Sequence, residues 1–451
     1  MRDLILTLFI FGSLPYAFVR PKYGLMLWAM MSYMNPHRLT WSYAYDFRFN
    51  FFVALITLAG VIFNKEVKYR IPINGVTIFW ILFCLWTVVT SYTSFNPGRA
   101  FGEFDRFFKI QLMVLITFFL IMDRKWLDYL VWVIVISIGV WVVKGGMFTI
   151  LSGGQYRVYG PAQSFIGDNN AFALAVIMTL PLLFYLKSFA RRLWERQVAL
   201  ALFILSVITV VGSYSRGGML GLTVVITLLM GRTRRGMLSI LVLVVFAGFF
   251  YTAMPGKWQE RMDDFFEIST LYDMRNDFSM MGRLNSWVMA WELAKDRPIV
   301  GGGFNTFTTD RFKQYAPVPF ERHDAHSIFF EVLAEQGFFG LTLFLFMHAF
   351  SIRMSLKTRR LCRRREELQW AVMLSSMLLI SMVGYYMAGL FLGLAYFDLP
   401  YHLLSMMVIL HQIVKKTIMK EEAKKEAESA VRSSIASMEF NKPNYSIFSR
   451  S

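Results

Sequence analysis

The chain is dominated by apolar runs that are long enough to cross a lipid bilayer. A membrane-spanning helix needs about 20 residues, with a range of about 17–25. Charged residues make up 17% of the chain, against about a quarter in soluble domains. The candidate spans are residues 4–19, 23–34, 51–63, 76–93, 107–122, 126–143, 169–187, 197–213, 217–230, 236–252, 326–351, 371–393 and 399–414. We predict an all-α polytopic membrane protein with about twelve transmembrane helices. Residues 4–34 would cross once or twice.

The positive charge of the chain lies mainly in loops between the apolar runs. Lys and Arg total 47 against 30 Asp and Glu, which gives a net charge of +17. In a soluble chain this excess would suggest nucleic acid, but short basic loops between membrane helices are typical of the cytoplasmic side. We therefore expect no nucleic-acid partner. The basic loops lie at residues 65–70, 187–196, 232–235 and 353–365.

Alternation of these loops across the membrane predicts five segments of the chain. They are N-terminal transmembrane helices at 1–143, central transmembrane helices with short outward arginine loops at 144–252, a long outward loop at 253–325, C-terminal transmembrane helices at 326–414 and a cytoplasmic tail at 415–451. The charged part of the tail, at about 415–440, is predicted to be a helix near the membrane surface.

The long outward loop is predicted to contain amphipathic helices. Leu284, Trp287, Val288 and Trp291 follow the i, i+3, i+4, i+7 spacing of one helix face. We expect this apolar face to pack on the membrane helices or to rest in the membrane interface.

A cluster of ionisable residues comes just before the apolar run that starts at residue 326. His323, Asp324 and His326 stand here, and ionisable groups at a membrane boundary are costly and usually functional. A neutral imidazole takes a proton from a hydroxyl near neutral pH. His326 is therefore the candidate catalytic base, and His323, Asp324 or Glu331 would position the base or an acceptor. The alternative is an interfacial histidine that only forms hydrogen bonds. A third ligand beside the two histidines is not evident, so we expect no metal site.

Three arginines on the outward side are candidates for binding an anionic group. Arg216 lies alone between two apolar runs, Arg283 precedes the amphipathic pattern, and Arg157 begins a polar stretch that leads to Asp168. A guanidinium offers a planar fork of donors that fits phosphate oxygens. The alternatives are snorkelling to lipid headgroups for Arg216 and a solvated surface charge for Arg283. Asp168 is predicted to be the N-cap of the next helix.

Together these stretches resemble the signature of bacterial O-antigen ligases and the related O-antigen polymerases. The strongest element is His326-Ser327, followed after nine residues by Gly337 and after two more by Gly340. The other similar elements are the Ser215–Gly217 arginine loop, residues 282–304 before the histidine, and the earlier block at 157–170. The resemblance covers roughly residues 150–350.

The ends of the chain are similar to a narrower branch of this family, the O-glycosylation ligases associated with exosortase systems. The similar stretches are residues 1–4, Tyr33–Trp41 and Ala395–Tyr401.

The resemblance implies a glycosyltransferase type C-like fold and an inverting transfer that needs neither metal nor cofactor. The donor would be a glycan on undecaprenyl diphosphate, held by Arg216, Arg283 and Arg157, with His326 as the base. The reaction would occur at the periplasmic face of the bacterial inner membrane.

Three acceptors are possible: lipid A-core, another protein and the end of a growing glycan. The first two would make the chain a ligase, and the third would make it a polymerase. A transporter of lipid-linked oligosaccharides is an alternative from another class. It is disfavoured because the charged residues concentrate at one face rather than deep within the helices. A structural partner of an export complex is a third alternative, and it would not need the residues around His326.

Overall fold

The structure, a computed structural model, describes residues 1–232, 278–319 and 322–440. Within these residues the chain forms α-helices, two short 3-10 helices and no strand, so the predicted all-α fold is confirmed. The α-helices are α1 Arg2–Val19, α2 Pro21–Met34, α3 Phe49–Phe63, α4 Gly75–Tyr92, α5 Pro97–Leu120, α6 Arg124–Leu151, α7 Asn169–Phe189, α8 Leu193–Gly212, α9 Arg216–Met230, α10 Phe278–Asp296, α11 Thr309–Tyr315, α12 Ile328–Cys362, α13 Gln369–Gly389 and α14 Asp398–Phe440.

Seven of the described helices are long and apolar enough to cross a membrane, namely α1, α4, α6, α7, α8, α12 and α13. The helices α3 and α9 are apolar but shorter, with 15 residues each. These helices confirm a multi-pass membrane protein. The predicted span at 236–252 lies outside the described residues, and the total of about twelve spans stays a prediction.

The first two helices form an antiparallel pair. The Asp3 carboxylate at the start of α1 accepts hydrogen bonds from the backbone N–H groups of Ser42 and Ala44, at 3.0 and 3.3 Å. At the other end of the pair, Lys22 lies 4.0 Å from Asp123, just before α6. Residues 4–34 are therefore two helices whose shared turn lies at the end opposite to residues 42–44.

Polar caps define where several of the apolar helices begin. The Asn74 side chain accepts from the backbone of Val76 and Thr77 at 3.0 and 3.3 Å, which satisfies donors of the first turn of α4. Asp123 accepts from Trp126 at 3.1 Å at the start of α6. These caps explain why the helices begin at the edges of the apolar runs.

The helix α7 forms the centre of the bundle. It packs against α6, α8, α9 and α13, and 78% of its span is buried, against 11% for α1. Apolar side chains on α1 such as Leu4 and Leu8 are exposed. Because lipid accepts such side chains, α1 lies at the periphery of the bundle, where a bilayer would surround it.

Several connections between helices meet at one end of the bundle, which we call the site end. The Phe95 N–H, between α4 and α5, donates to the Gly302 carbonyl at 3.2 Å. The Val158 N–H, between α6 and α7, donates to the Gly212 carbonyl at 2.9 Å. These contacts hold together connections that the sequence predicts to lie on the outward side of the membrane.

The apolar face of α10 that the sequence predicts is partly buried. Leu284, Val288 and Trp291 are 38–46% exposed, but two rings of this face contact α12: Trp287 stacks on Phe330 at 5.1 Å, and the Trp291 ring lies 5.6 Å from that of Phe338. The more deeply buried face carries Met289, Ala290 and Leu293 together with Asn285, whose side-chain amide donates to the Val318 carbonyl and accepts from its N–H. Because these two hydrogen bonds satisfy the amide, Asn285 can be buried among apolar neighbours. Contact of the apolar face with the membrane interface stays a prediction.

The C-terminal charged stretch is helical, as predicted, but it continues the last apolar helix. The helix α14 runs unbroken from Asp398 to Phe440. Arg365, between α12 and α13, lies 2.8 Å from Glu421 and 3.2 Å from Glu422. The tail is therefore attached to the bundle at its start by ion pairs opposite to the site end.

Candidate active site

A break in α12 organises the candidate site. Gly337 has φ +69° and ψ −177° inside the helix, a backbone conformation that is essentially restricted to glycine. A methyl group here would lie 2.3 Å from the Ile299 carbonyl oxygen. Gly337 is thus required both for the break and for the close approach of the loop before it.

The break leaves helix carbonyls without their usual partners, and other segments supply donors. The N–H groups of Gly302 and Gly303 donate to the carbonyls of Ala334 and Glu335 at 2.7 and 2.9 Å. The Phe338 N–H in turn donates to the Pro298 carbonyl at 2.8 Å. The loop at 298–303 is therefore held on the break by backbone hydrogen bonds, as buried polar groups require.

The second glycine of the motif makes room for an indole. A methyl group at Gly340 would lie 3.0 Å from Cδ1 of Trp86. The Trp86 indole N–H donates to the Gln336 carbonyl at 3.0 Å, which is a further carbonyl at the break. The spacing from Gly337 to Gly340 thus lets α4 stabilise the break from the side.

His326 lies on the short segment that leads into α12. Its φ of +46° is in the left-handed region, which costs a residue with a side chain about 1–3 kcal/mol. The Trp287 indole donates to the Ala325 carbonyl at 3.1 Å and holds this segment. The His323 ring centroid lies 6.3 Å from that of His326. A methyl group at Gly282 would lie 2.8 Å from the His323 ring.

The imidazole of His326 is partly buried and lies among charged groups. Burial is the largest influence and lowers its pKa below the usual 6.5. The Asp324 carboxylate opposes this effect, Arg283 and His323 lower the pKa further, and Asp168 raises it. Because the net shift is downward, His326 is neutral near pH 7. A neutral imidazole is the form that accepts a proton.

The structure brings Arg216 and Arg283 to the connection between α13 and α14. The Arg283 guanidinium lies 5.8 Å from the centroid of the Phe391 ring. A methyl group at Gly217, next to Arg216, would lie 3.5 Å from Cβ of Phe391. Arg216 is also the first residue of α9, and the N-terminus of a helix favours an anion. The Arg283 guanidinium and the first turn of α9, which carries Arg216, therefore both border Phe391, and Arg283 also acts on His326.

Arg157 is exposed and lies beside the turn before α9. The neighbouring Val158 pairs with Gly212 as described above, and the Asn169 amide donates to the Ser213 carbonyl at 2.8 Å. The described contacts do not join Arg157 to His326 or to the other two arginines. Its binding role stays a prediction, whereas its segment supports the turn that carries Arg216.

Asp168 is the N-cap of α7, as predicted. Its carboxylate accepts from the backbone N–H groups of Asn170 and Ala171 at 2.9 and 3.0 Å.

The family model described as O-antigen ligase matches residues 201–345. These residues form an O-antigen ligase domain. This match confirms the resemblance to the O-antigen ligase superfamily that the motifs predicted. The domain includes Arg216, Arg283, His323, Asp324 and His326, but not Arg157. A family of unknown function matches residues 1–191. No curated protein matched the chain. The narrower exosortase-associated branch stays a prediction.

Two carboxyl groups of the ligase domain lie in a small cavity beside the histidine segment. Glu331 and Glu335 line this cavity of about 110 Å³, which we call the carboxyl cavity. The Glu331 carboxylate accepts from the Ala395 N–H at 2.8 Å, so it binds the connection between α13 and α14. Glu331 is not among the groups that shift the pKa of His326. That Glu331 orients the base stays a prediction.

Glu335 is a site residue that the sequence analysis missed. Charged residues are nearly absent from the apolar runs, and Glu335 lies within the run at 326–351. Two acidic residues four positions apart, at the start of a membrane helix, are the signal that could have identified it.

Among the described residues, no three His, Cys, Asp or Glu side chains are grouped in a way that could hold a metal ion.

Proposed function

We propose that the protein is an inverting, metal-independent glycosyltransferase that moves a glycan from undecaprenyl diphosphate to an acceptor hydroxyl. The main support is the electrostatic environment of His326, a neutral imidazole that Arg283 and Asp324 both influence. The O-antigen ligase domain supports a ligase or polymerase of this kind. The active site would face the periplasm from the inner membrane.

In the proposed reaction, the arginines bind the donor diphosphate. The acceptor oxygen attacks the anomeric carbon of the donor glycan, and the bond from that carbon to the diphosphate oxygen breaks. Arg216 and Arg283 offset the negative charge that develops on the leaving diphosphate. Charge-assisted hydrogen bonds from a guanidinium to phosphate are among the stronger ones in proteins.

In the same step, His326 takes the proton of the acceptor hydroxyl. A base of this kind contributes roughly 10²–10⁴-fold to the rate. Asp324 positions the imidazole or the acceptor, because its carboxylate acts on His326 through space. Undecaprenyl diphosphate leaves, and the glycan is joined to the acceptor with inverted configuration.

A glycan-transfer assay in detergent tests the roles of the arginines. It uses purified protein, a lipid-linked glycan donor and candidate acceptors. Arg216→Ala and Arg283→Ala are expected to lose transfer while eluting as folded protein. Arg99→Ala is the matched control, because Arg99 is an exposed arginine on α5 near the site end. Full activity in either of the first two variants would contradict the assignment.

The products of the same assay distinguish ligation from polymerisation. Glycan on lipid A-core or on a protein identifies a ligase, whereas a lengthened lipid-linked glycan identifies a polymerase. Movement of the lipid-linked glycan across vesicles without any transfer would identify a transporter instead.

A further inference from the structure

The carboxyl cavity contains a buried acidic group with one unused oxygen. Glu335 is 5% exposed, and its Oε1 accepts from the Asn305 N–H at 2.8 Å. Its Oε2 is buried and has no hydrogen-bond partner among the described residues. The Tyr396 hydroxyl and the Thr306 N–H also interact with this carboxyl group, but neither has the geometry of a hydrogen bond to Oε2. Because a buried polar atom without a partner is costly, Oε2 is suited to a ligand that brings a hydroxyl.

The walls of the cavity are aromatic. Phe304 is almost fully buried, and its ring centroid lies 4.8 Å from that of Tyr396 and 5.9 Å from that of Phe107. All three rings line the cavity. Aromatic faces cover the C–H surfaces of a sugar ring, while carboxyl groups take its hydroxyls. The volume of about 110 Å³ is roughly seven to eleven times what one water needs, so the space suits one sugar ring rather than a chain.

The charges of the cavity exclude the donor diphosphate as its ligand. Glu103, Glu331 and Glu335 face a single cation, Arg106. That guanidinium lies 4.0 Å from the Glu103 carboxylate and 3.6 Å from the centroid of the Phe165 ring. Carboxyl groups do not offset the charge of a diphosphate, so the ligand is a neutral, hydroxyl-bearing group.

The cavity and the arginines border different parts of the connection between α13 and α14. Arg283 and the start of α9, which carries Arg216, lie at Phe391, whereas Gly393 and Tyr396 line the cavity. A methyl group at Gly393 would lie 3.0 Å from Asp324 Oδ2, so the cavity adjoins the histidine segment. In an inverting displacement the nucleophile approaches from the side opposite to the leaving group. We propose that the carboxyl cavity binds the sugar ring that carries the acceptor hydroxyl, an inference that rests on the proposed transferase function.

The acceptor reaches this cavity through a larger one. A cavity of about 650 Å³ shares Arg106, Phe165 and Phe397 with the carboxyl cavity. Almost all of its lining comes from residues 1–191, the part that matches a family of unknown function. The larger cavity is lined by apolar side chains such as Leu55 and by polar side chains such as Asn50. This N-terminal part thus supplies the approach of the acceptor to the ligase domain.

Binding of simple sugars tests the site without the donor. Saturation-transfer NMR would use the full chain in detergent with the methyl glycosides of glucose, galactose and mannose. At least one is expected to bind, and Glu335→Gln should raise its dissociation constant roughly tenfold or more. Glu292→Gln is the matched control, because Glu292 pairs with Lys295 on the surface of α10 at 2.6 Å. If Glu335→Gln does not fold, Phe304→Leu replaces it, with the same expectation.

Two outcomes of this experiment would overturn the site. One is that none of the three glycosides binds to the wild type, and the other is that the cavity variant binds them as the wild type does.

Steady-state kinetics separate this inference from the proposed function. With an acceptor that the wild type glycosylates, Glu335→Gln should raise the acceptor KM roughly tenfold and leave the donor KM unchanged. Transfer with an unchanged acceptor KM overturns the site and leaves the function standing. The proposed sugar site is also overturned if Glu335→Gln transfers the glycan to a peptide hydroxyl as well as the wild type does. Sugar binding without any transfer, by contrast, supports the site and removes the proposed function.

Discussion

Replacing Gly337 by alanine should destabilise the protein through the break in α12. The residue has φ +69° and ψ −177°, where a side chain costs about 1–3 kcal/mol. The added methyl would lie 2.3 Å from the Ile299 carbonyl oxygen and 2.9 Å from that of Pro298. Both contacts are to backbone, so the loop must move. The hydrogen bond from Phe338 to Pro298 would then be weakened, at about 0.5–1.5 kcal/mol.

These contributions add to about 1.5–4.5 kcal/mol. Thermal unfolding in detergent, followed by tryptophan fluorescence, should show an apparent Tm lower by several degrees. Transfer should also fall, because the loop at 298–303 and Glu335 are both attached to the break.

Gly12→Ala is the matched control for this experiment. Gly12 lies inside α1, and a methyl group there would meet no atom within 4 Å. Alanine is favoured over glycine in a helix by about 1 kcal/mol, so the control should be neutral or slightly stabilising. If Gly337→Ala unfolds at the same temperature as Gly12→Ala, the restriction of this position to glycine is refuted.

Three further predictions concern the base and its surroundings. Transfer should be lost on the acid side as His326 becomes protonated, at a pH below its usual pKa of 6.5. Asp324→Asn removes a group that raises this pKa, so the acid limb of its pH–rate profile should move to lower pH. Arg283→Gln removes a group that lowers the pKa of His326, so the acid limb of the variant's residual activity should move to higher pH. If the acid limbs of both variants shift in the same direction, the account is contradicted. Trp86→Phe leaves the Gln336 carbonyl without its indole donor and should destabilise by about 1–3 kcal/mol, whereas Trp194→Phe at an exposed indole should not change the unfolding temperature.

The membrane fold and the main site residues could be predicted from the sequence for physical reasons. Apolar runs of bilayer length leave little alternative to helices, because backbone groups in lipid must bond within their own segment. Arg216, Arg283 and His326 were identifiable because charged groups at the end of such runs are uncommon. The approach of Arg283 to both Phe391 and His326 could not be predicted from the sequence, because it depends on how distant helices pack.

Prediction from the sequence was wrong or incomplete where tertiary contacts determine the local structure. The spacing of Leu284, Trp287, Val288 and Trp291 predicts one buried face. Trp287 and Trp291 do contact α12, but Met289, Ala290 and Leu293 on a neighbouring face are buried more deeply. The helix break at Gly337 was not predicted, because its backbone conformation exists only with the loop at 298–303 in place. Glu335 was missed because it lies inside an apolar run, and only the fold shows that it lines a cavity together with Glu331.

Transfer by the wild type and by His326→Ala, compared in the presence of a chelator, tests the central claim most directly. The assay uses purified protein in detergent, an undecaprenyl-diphosphate-linked glycan and a candidate acceptor. It measures glycosylated acceptor together with released undecaprenyl diphosphate. We expect the wild type to form both products with the chelator present, and His326→Ala to lose transfer by roughly 10²–10⁴-fold while remaining folded. Undiminished transfer by His326→Ala, or transfer by the wild type that the chelator abolishes, would contradict a metal-independent reaction with His326 as its base.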